Sequence, residues 1–224
     1  MKVKVIVFDL DDTLYEEIDY VYSGFKNVSK YFCEKYEIEE KLFYSDMLDI
    51  LENDGRGQVF NKVLKKYNIF SNKSLKKSIS LYRLHTPKIS LPTKSIEILN
   101  YYKELGVPLY LVTDGNKVVQ ANKIEALGLK KFMKFMYITH RYGQNNAKPS
   151  TYCFEKIAKT EKVKYSDIVY IGDNINKDFI NIKKLGYRTI RIFQGMFKHD
   201  IKDQEYHAEE TLDDLVDIKK IIEI

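Results

Sequence analysis

"VIVFDLDDTLYEE", residues 5–17, passes from a nearly continuous apolar, β-branched run straight into Asp9, Asp11 and Asp12. Together with the two residues before it, the run predicts a buried strand over 3–10, of the kind found in parallel sheets. Side chains at i and i+2 share a face of a strand, so Asp9 and Asp11 converge on one spot at its C-terminal end while Leu10 points away. Carboxylates this close repel one another. Either water solvates them on a turn, or a cation and a chemical task hold them together.

Strands of the same type are expected at 107–114 ("VPLYLVTD"), 134–139 ("KFMYIT"), 167–173 ("DIVYIGD") and 187–193 ("YRTIRIF"). Between them lie segments of helical periodicity that each stop on a glycine: 94–106, 116–128 and 176–186. In the first, Ile96, Leu99, Tyr102 and Leu105 fall near one face. Alternation of strands and helices predicts βαβ units, and so an α/β fold with a Rossmann-like parallel sheet. Residues 16–87 break that rhythm with aromatic-rich helical stretches and no convincing strand. The economical reading is a helical cap, 16–87, inserted into a core made of 1–15 and 88–224, with the two prolines of "HTPKISLPTK" marking the return linker.

Open parallel sheets bind ligands at the carboxyl ends of their strands. Those ends carry Asp9 and Asp11, then Thr113, Asp114 and Gly115, then Gly172, Asp173 and Asn174, while Lys148 in "NAKPS" opens the helix leading to the fourth strand. Carboxylates, a hydroxyl and a lysine thus gather on one rim, and hard oxygen donors of this kind suit Mg²⁺ with a substrate phosphate.

The order Asp-x-Asp-x-Thr, then Thr, Lys and Gly-Asp-x4-Asp resembles the haloacid dehalogenase-like hydrolase superfamily, in its phosphatase-type branch with a small helical cap after the first strand. The resemblance spans nearly the whole chain, and the motifs are specific as a set rather than singly. It implies that Asp9 is a nucleophile forming an aspartyl-phosphate, and that Asp11 is the general acid and then the general base. It implies that Mg²⁺ is held by Asp9, the Asp11 main-chain carbonyl and Asp173, with Asp178 supporting the site directly or through water. Thr113 and the Asp114 amide would bind phosphoryl oxygens, and Lys148 would neutralise charge on them. Asp12 and Thr13 are expected to shape the turn, and Asn174 to cap or to orient the lysine. Two departures from the common pattern stand out: "KPSTYCF" lacks a second proline, and Asp114 stands where Asn is frequent.

The expected function is therefore Mg²⁺-dependent hydrolysis of a small phosphorylated metabolite. A phosphomutase shares every core residue and is the alternative within the superfamily; a catalytically idle binding or scaffold protein is the alternative outside it. A dehalogenase lacks the acid two residues after the nucleophile, and a receiver domain is about half this length. Arg56 and Arg83 are the arginines of the 16–87 segment.

Composition sets the remaining bounds. With 224 residues, 44% hydrophobic and 31% charged, the chain has the makeup of a globular protein with a sizeable core. The net charge of +5 comes from lysines interleaved with acids, which argues against a nucleic-acid partner. Two cysteines without a spacing motif fit a reducing, cytoplasmic setting. No signal peptide is recognisable, and no run approaches the roughly 18 apolar residues of a membrane span. A monomer or a homodimer is expected.

Overall fold

A computed structural model describes all residues from 1 to 224. It divides into two compact units, Met1–Glu17 with Ser90–Ile224, and Ile18–Ile89.

The first unit opens on β1 (Val5–Phe8), whose four residues are all buried. The helical unit follows, built from α1 (Glu17–Tyr36), α2 (Glu40–Asp54), α3 (Val59–Lys66) and α4 (Asn72–Leu84). Helix α1 buries Val21, Phe25, Val28 and Phe32, a four-three-four spacing that keeps one apolar stripe on one side of a 3.6-residue helix. That stripe joins Phe43, Met47, Val63 and Leu64 in a separate core. Asp46 is buried beneath it but paired, receiving the Tyr67 hydroxyl at 2.8 Å and Lys66 at 2.6 Å. Helix α4 starts on a capping box in which Ser71 and Ser74 each receive the other's backbone N–H, at 3.0 and 2.8 Å.

The chain then returns to the first unit through α5 (Thr93–Glu104), β2 (Leu109–Thr113), α6 (Lys117–Ala126), β3 (Phe135–Ile138), α7 (Tyr152–Glu161) and β4 (Ile168–Gly172). It finishes through α8 (Ile180–Lys184), β5 (Arg188–Ile192), β6 (Glu210–Leu212) and α9 (Ile218–Ile221). The six strands form one parallel sheet in the order β3-β2-β1-β4-β5-β6. From β1 the chain builds outward in one direction through β2 and β3, then resumes on the other side at β4. The sheet therefore reverses direction at β1, and the crevice such a reversal opens lies beyond the carboxyl ends of β1, β2 and β4.

The five expected strands and the α/β architecture are present. The short β6 was not anticipated, since its Glu-Thr-Leu sequence is largely exposed and too brief for alternation to register. The inward face of α5 also differs from expectation: Ser95, Ile98, Leu99 and Tyr102 are buried while Ile96 and Leu105 are exposed. Ser95 faces inward beside Ile98, Leu99 and Tyr102, and donates its hydroxyl to the Leu14 carbonyl at 2.6 Å. Helix α7 starts at Tyr152, so Lys148 and Pro149 precede it by several residues rather than opening it.

Phe32 is 1% exposed at the centre of the helical unit's core. Phe32→Ala is expected to cost about 3–5 kcal/mol of that unit's stability, measured by urea unfolding followed by circular dichroism. A loss below about 1 kcal/mol would show that the aromatic core is not what holds the four helices together.

Candidate active site

Three strand ends supply the site. Asp9 follows β1 and is locked into the sheet's plane by donating its N–H to the Ile171 carbonyl of β4 at 2.8 Å. Thr113 ends β2, and Asp173 follows Gly172 at the end of β4. Lys148 comes from the segment between β3 and α7, and Asp178 from the turn between β4 and α8.

Lys148 is the centre of the cluster. Its Nζ lies 2.8 Å from Asp9 Oδ1, 2.8 Å from Asp178 Oδ1 and 2.8 Å from the Tyr170 hydroxyl oxygen, with 1% of its side chain exposed. Carboxylate oxygens of Asp9, Asp173 and Asp178 all lie within 4.8 Å of one another. Asp178 is held from both ends, because its Oδ2 accepts the Asn174 N–H at 3.0 Å while Tyr170 donates to Oδ1 at 3.3 Å. A methyl group at Gly172 would sit 2.4 Å from Asp178 Oδ2, so only glycine lets this acid approach the strand.

The charges respond to their surroundings. Burial raises the Asp9 carboxyl to about 7; Lys148 opposes that shift and the charge of Asp178 adds to it. Burial, with Asp178 and Asp9 nearby, raises Asp173 to about 9. Lys148 moves well above its ordinary value: burial disfavours the ammonium, but Asp178 and Asp9 outweigh it. One buried cation therefore faces three buried acids, and burial favours the neutral form of two of them, Asp9 and Asp173. A divalent cation would resolve this excess of acid, and the donors are hard oxygens of the type Mg²⁺ prefers.

Asp11 lies apart from that triad. Its Oδ1 accepts from Lys123 Nζ and from the Tyr15 hydroxyl, each at 2.7 Å, and its Oδ2 accepts from Gln120 Nε2 at 2.8 Å. Burial would raise this carboxyl, but Lys123 and the hydrogen bonds bring it below the ordinary value. Gln120 also donates to Thr113 Oγ1 at 2.6 Å. The same cavity, about 160 Å³, is lined by Asp9, Asp11, Thr113, Asp173, Lys177 and Phe197.

Asp12 adopts φ 52° and accepts from the Glu17 N–H at 2.8 Å and the Met196 N–H at 3.1 Å. It thus ties the turn after β1 to the loop after β5, where a methyl group at Gly195 would sit 2.3 Å from its Cβ. The Asp114 carboxylate also organises backbone, accepting from Thr139 Oγ1 at 2.7 Å, the Lys148 N–H at 3.1 Å and Lys177 Nζ at 2.7 Å. Asn174 Oδ1 accepts the Asn176 N–H at 3.0 Å, which makes it a turn cap.

The structure therefore brings together Asp9, Asp173, Asp178 and Lys148, and places Asp11, Thr113 and Asp114 around the same cavity. Arg56 and Arg83 belong to the helical unit. Residues on the site missed from sequence include Glu17, Phe197, Tyr170, Lys177, Gln120 and Lys123. A signal for the last two existed, because they are polar residues at i and i+3 on the face of α6 that also carries the buried Ile124.

Comparisons with known proteins identify the family. The model of the family described as haloacid dehalogenase-like hydrolase matches residues 6–192. A glyceraldehyde 3-phosphate phosphatase of Methanocaldococcus jannaschii is 29% identical over 227 residues, covering 97% of each chain. A phosphoglycolate phosphatase of Neisseria meningitidis is 23% identical, covering 86% of this chain and 81% of its own. Among solved structures, the HAD-hydrolase YfnB of Bacillus subtilis, bound to magnesium, superposes with a TM-score of 0.67 at 16% identity, covering 100% of both chains.

The raised acids give a pH dependence with a definite sign. Without a cation, Asp9 and Asp173 take up protons on folding. Their contribution to stability is complete below the ordinary carboxyl value of 3.8 and is lost as pH rises through about 7 for Asp9 and about 9 for Asp173. Thermal melts of the metal-free protein should therefore fall in midpoint between about pH 5 and pH 9, and saturating Mg²⁺ should restore most of the loss at the alkaline end. A midpoint that is flat with pH and unmoved by Mg²⁺ would contradict the coupling of these acids.

Proposed function

The chain belongs to the haloacid dehalogenase-like hydrolase family, as a phosphatase of small phosphorylated metabolites, and we propose that Asp9 is its nucleophile and Mg²⁺ its cofactor. The observation that carries this reading is the Lys148 ammonium set 2.8 Å from Asp9 beside two further buried acids. Clustered carboxylates without a task would only cost free energy. Relatives named for glyceraldehyde 3-phosphate and phosphoglycolate support a substrate with a short carbon chain. So does the small cavity of the core.

Asp9, Asp173 and the main-chain carbonyl of Asp11 would hold the metal. Asp178 would orient it through water, since its own oxygens already receive Lys148, Tyr170 and the Asn174 amide. When bound, Mg²⁺ supplies charge neutralisation among the acids and aligns a phosphoryl oxygen. Thr113 and the amide of Asp114 bind phosphoryl oxygens. Lys148 favours the ionised form of Asp9 against its burial and balances charge that develops on the transferring group.

A carboxylate oxygen of Asp9 then attacks phosphorus as the ester P–O bond breaks. The departing oxygen takes its electron pair and a proton from Asp11. In the second step Asp11 accepts a proton from water as that water attacks phosphorus, the bond to Asp9 breaks, and inorganic phosphate leaves. The resting geometry suits the second step directly, because Asp11 lies among donors that favour its carboxylate. The helical unit would act as the cap and set selectivity. Both cysteines are free and buried, which supports a reducing, cytoplasmic setting.

Two substitutions of one chemical type separate the two acids. Asp9→Asn should abolish phosphoenzyme formation with every substrate. Asp11→Asn should lose about 10²–10⁴-fold on alkyl phosphates yet still release a burst of phenol from an activated aryl phosphate, then stall as aspartyl-phosphate. Rapid quench with mass spectrometry should find the added phosphoryl mass on the Asp9 peptide. A phosphoryl group on Asp11, or full turnover in Mg²⁺-free buffer with chelator, would overturn the reading.

A further inference from the structure

Lys123 is a buried lysine that the phosphoryl chemistry leaves without a role. It sits on α6 with 2% of its side chain exposed, 2.7 Å from Asp11 Oδ1 and 3.2 Å from Glu17 Oε1. One turn earlier, Gln120 is equally buried, and its Nε2 bridges Asp11 Oδ2 at 2.8 Å and Thr113 Oγ1 at 2.6 Å. Both side chains face the core at a real desolvation cost for the lysine. Each Asp11 oxygen thereby has a donor from α6, and the Tyr15 hydroxyl adds a third contact at 2.7 Å.

We propose that Lys123 and Gln120 are positioning residues that hold the Asp11 carboxylate against α6, with Gln120 keeping it in register with the phosphoryl-binding hydroxyl of Thr113. This rests on the phosphatase reading above. A carboxylate swings about two torsions, and proton transfer to a leaving oxygen succeeds only within hydrogen-bond reach. Orientation of a catalytic group is a large part of its value, and small misplacements are costly. Donors placed on both oxygens fix those torsions. Thr113, which meets the phosphoryl group, shares one of the donors, so the leaving oxygen and its proton source are referenced to the same side chain.

Loss of orientation differs in its consequences from loss of fold. An alkyl ester needs a proton on its departing oxygen as the P–O bond breaks, whereas p-nitrophenolate departs without one. The test is therefore first-turnover rate by rapid quench on the Mg²⁺-loaded full-length protein, with glycerol 3-phosphate and p-nitrophenyl phosphate compared. Lys123→Met should slow first-turnover glycerol release by about 10–100-fold, while first-turnover p-nitrophenol release changes by less than about 3-fold. Gln120→Met, which removes no charge, should shift the same ratio in the same direction by a smaller factor, and it carries the comparison if Lys123→Met does not fold. Equal slowing of both substrates, or an unchanged ratio, would overturn the positioning role and leave the phosphatase reading standing. A native protein inert toward both phosphates would overturn the phosphatase reading and this inference with it.

Discussion

The ammonium of Lys148, buried between Asp9 and Asp178, is the interaction on which the site depends. A cation in this position is costly to bury and is stable only because acids surround it. It in turn offsets part of the repulsion between Asp9 and Asp178. Placing them together requires the strand order, because Asp9 and Asp173 become neighbours only where β1 pairs with β4. It also requires Gly172, whose missing side chain leaves room for Asp178. Sheet topology, one glycine and one lysine therefore act as a single constraint, with Tyr170 as the shared hydroxyl between lysine and acid.

Around that centre, two carboxylates of the same opening turn have different surroundings. Asp9 meets Lys148 and other acids; Asp11 meets Lys123, Gln120 and Tyr15. Burial raises the first, with Asp178 adding to the shift, whereas at the second Lys123 and the hydrogen bonds outweigh burial and lower it. On the proposed reading, environment rather than residue type would separate the bond-forming Asp9 from the proton-moving Asp11. Asp12, third in the run, is neither: its left-handed backbone and two accepted amides make it the fastener of the turn.

Much of this was legible in the sequence. Apolar and β-branched runs located five strands, and the pattern was plainest in β1, β2 and β4, which are buried throughout. The rim residues Asp9, Thr113 and Asp173 followed, since the ends of those strands are readable positions. Distances between chain segments were not. Lys123 belongs to a helix that amphipathicity alone identifies, but its partner is an acid more than a hundred residues earlier. The inward face of α5 includes Ser95, whose partner is the Leu14 carbonyl, a contact between distant segments that the helix's own pattern does not display. Asp114 was expected to matter through its amide; its carboxylate proves to gather Thr139, Lys148 and Lys177.

The most direct test of the central claim is a crystal structure of the protein with Mg²⁺ and a planar metal-fluoride mimic of the transferring phosphoryl group. The account predicts one Mg²⁺ ligated by carboxylate oxygens of Asp9 and Asp173 at about 2.0–2.1 Å, the mimic in line with the other oxygen of Asp9, and Lys148 on one of its fluorides. Magnesium bound elsewhere, or the mimic seated away from Asp9 with Lys148 still paired only to acids, would contradict it.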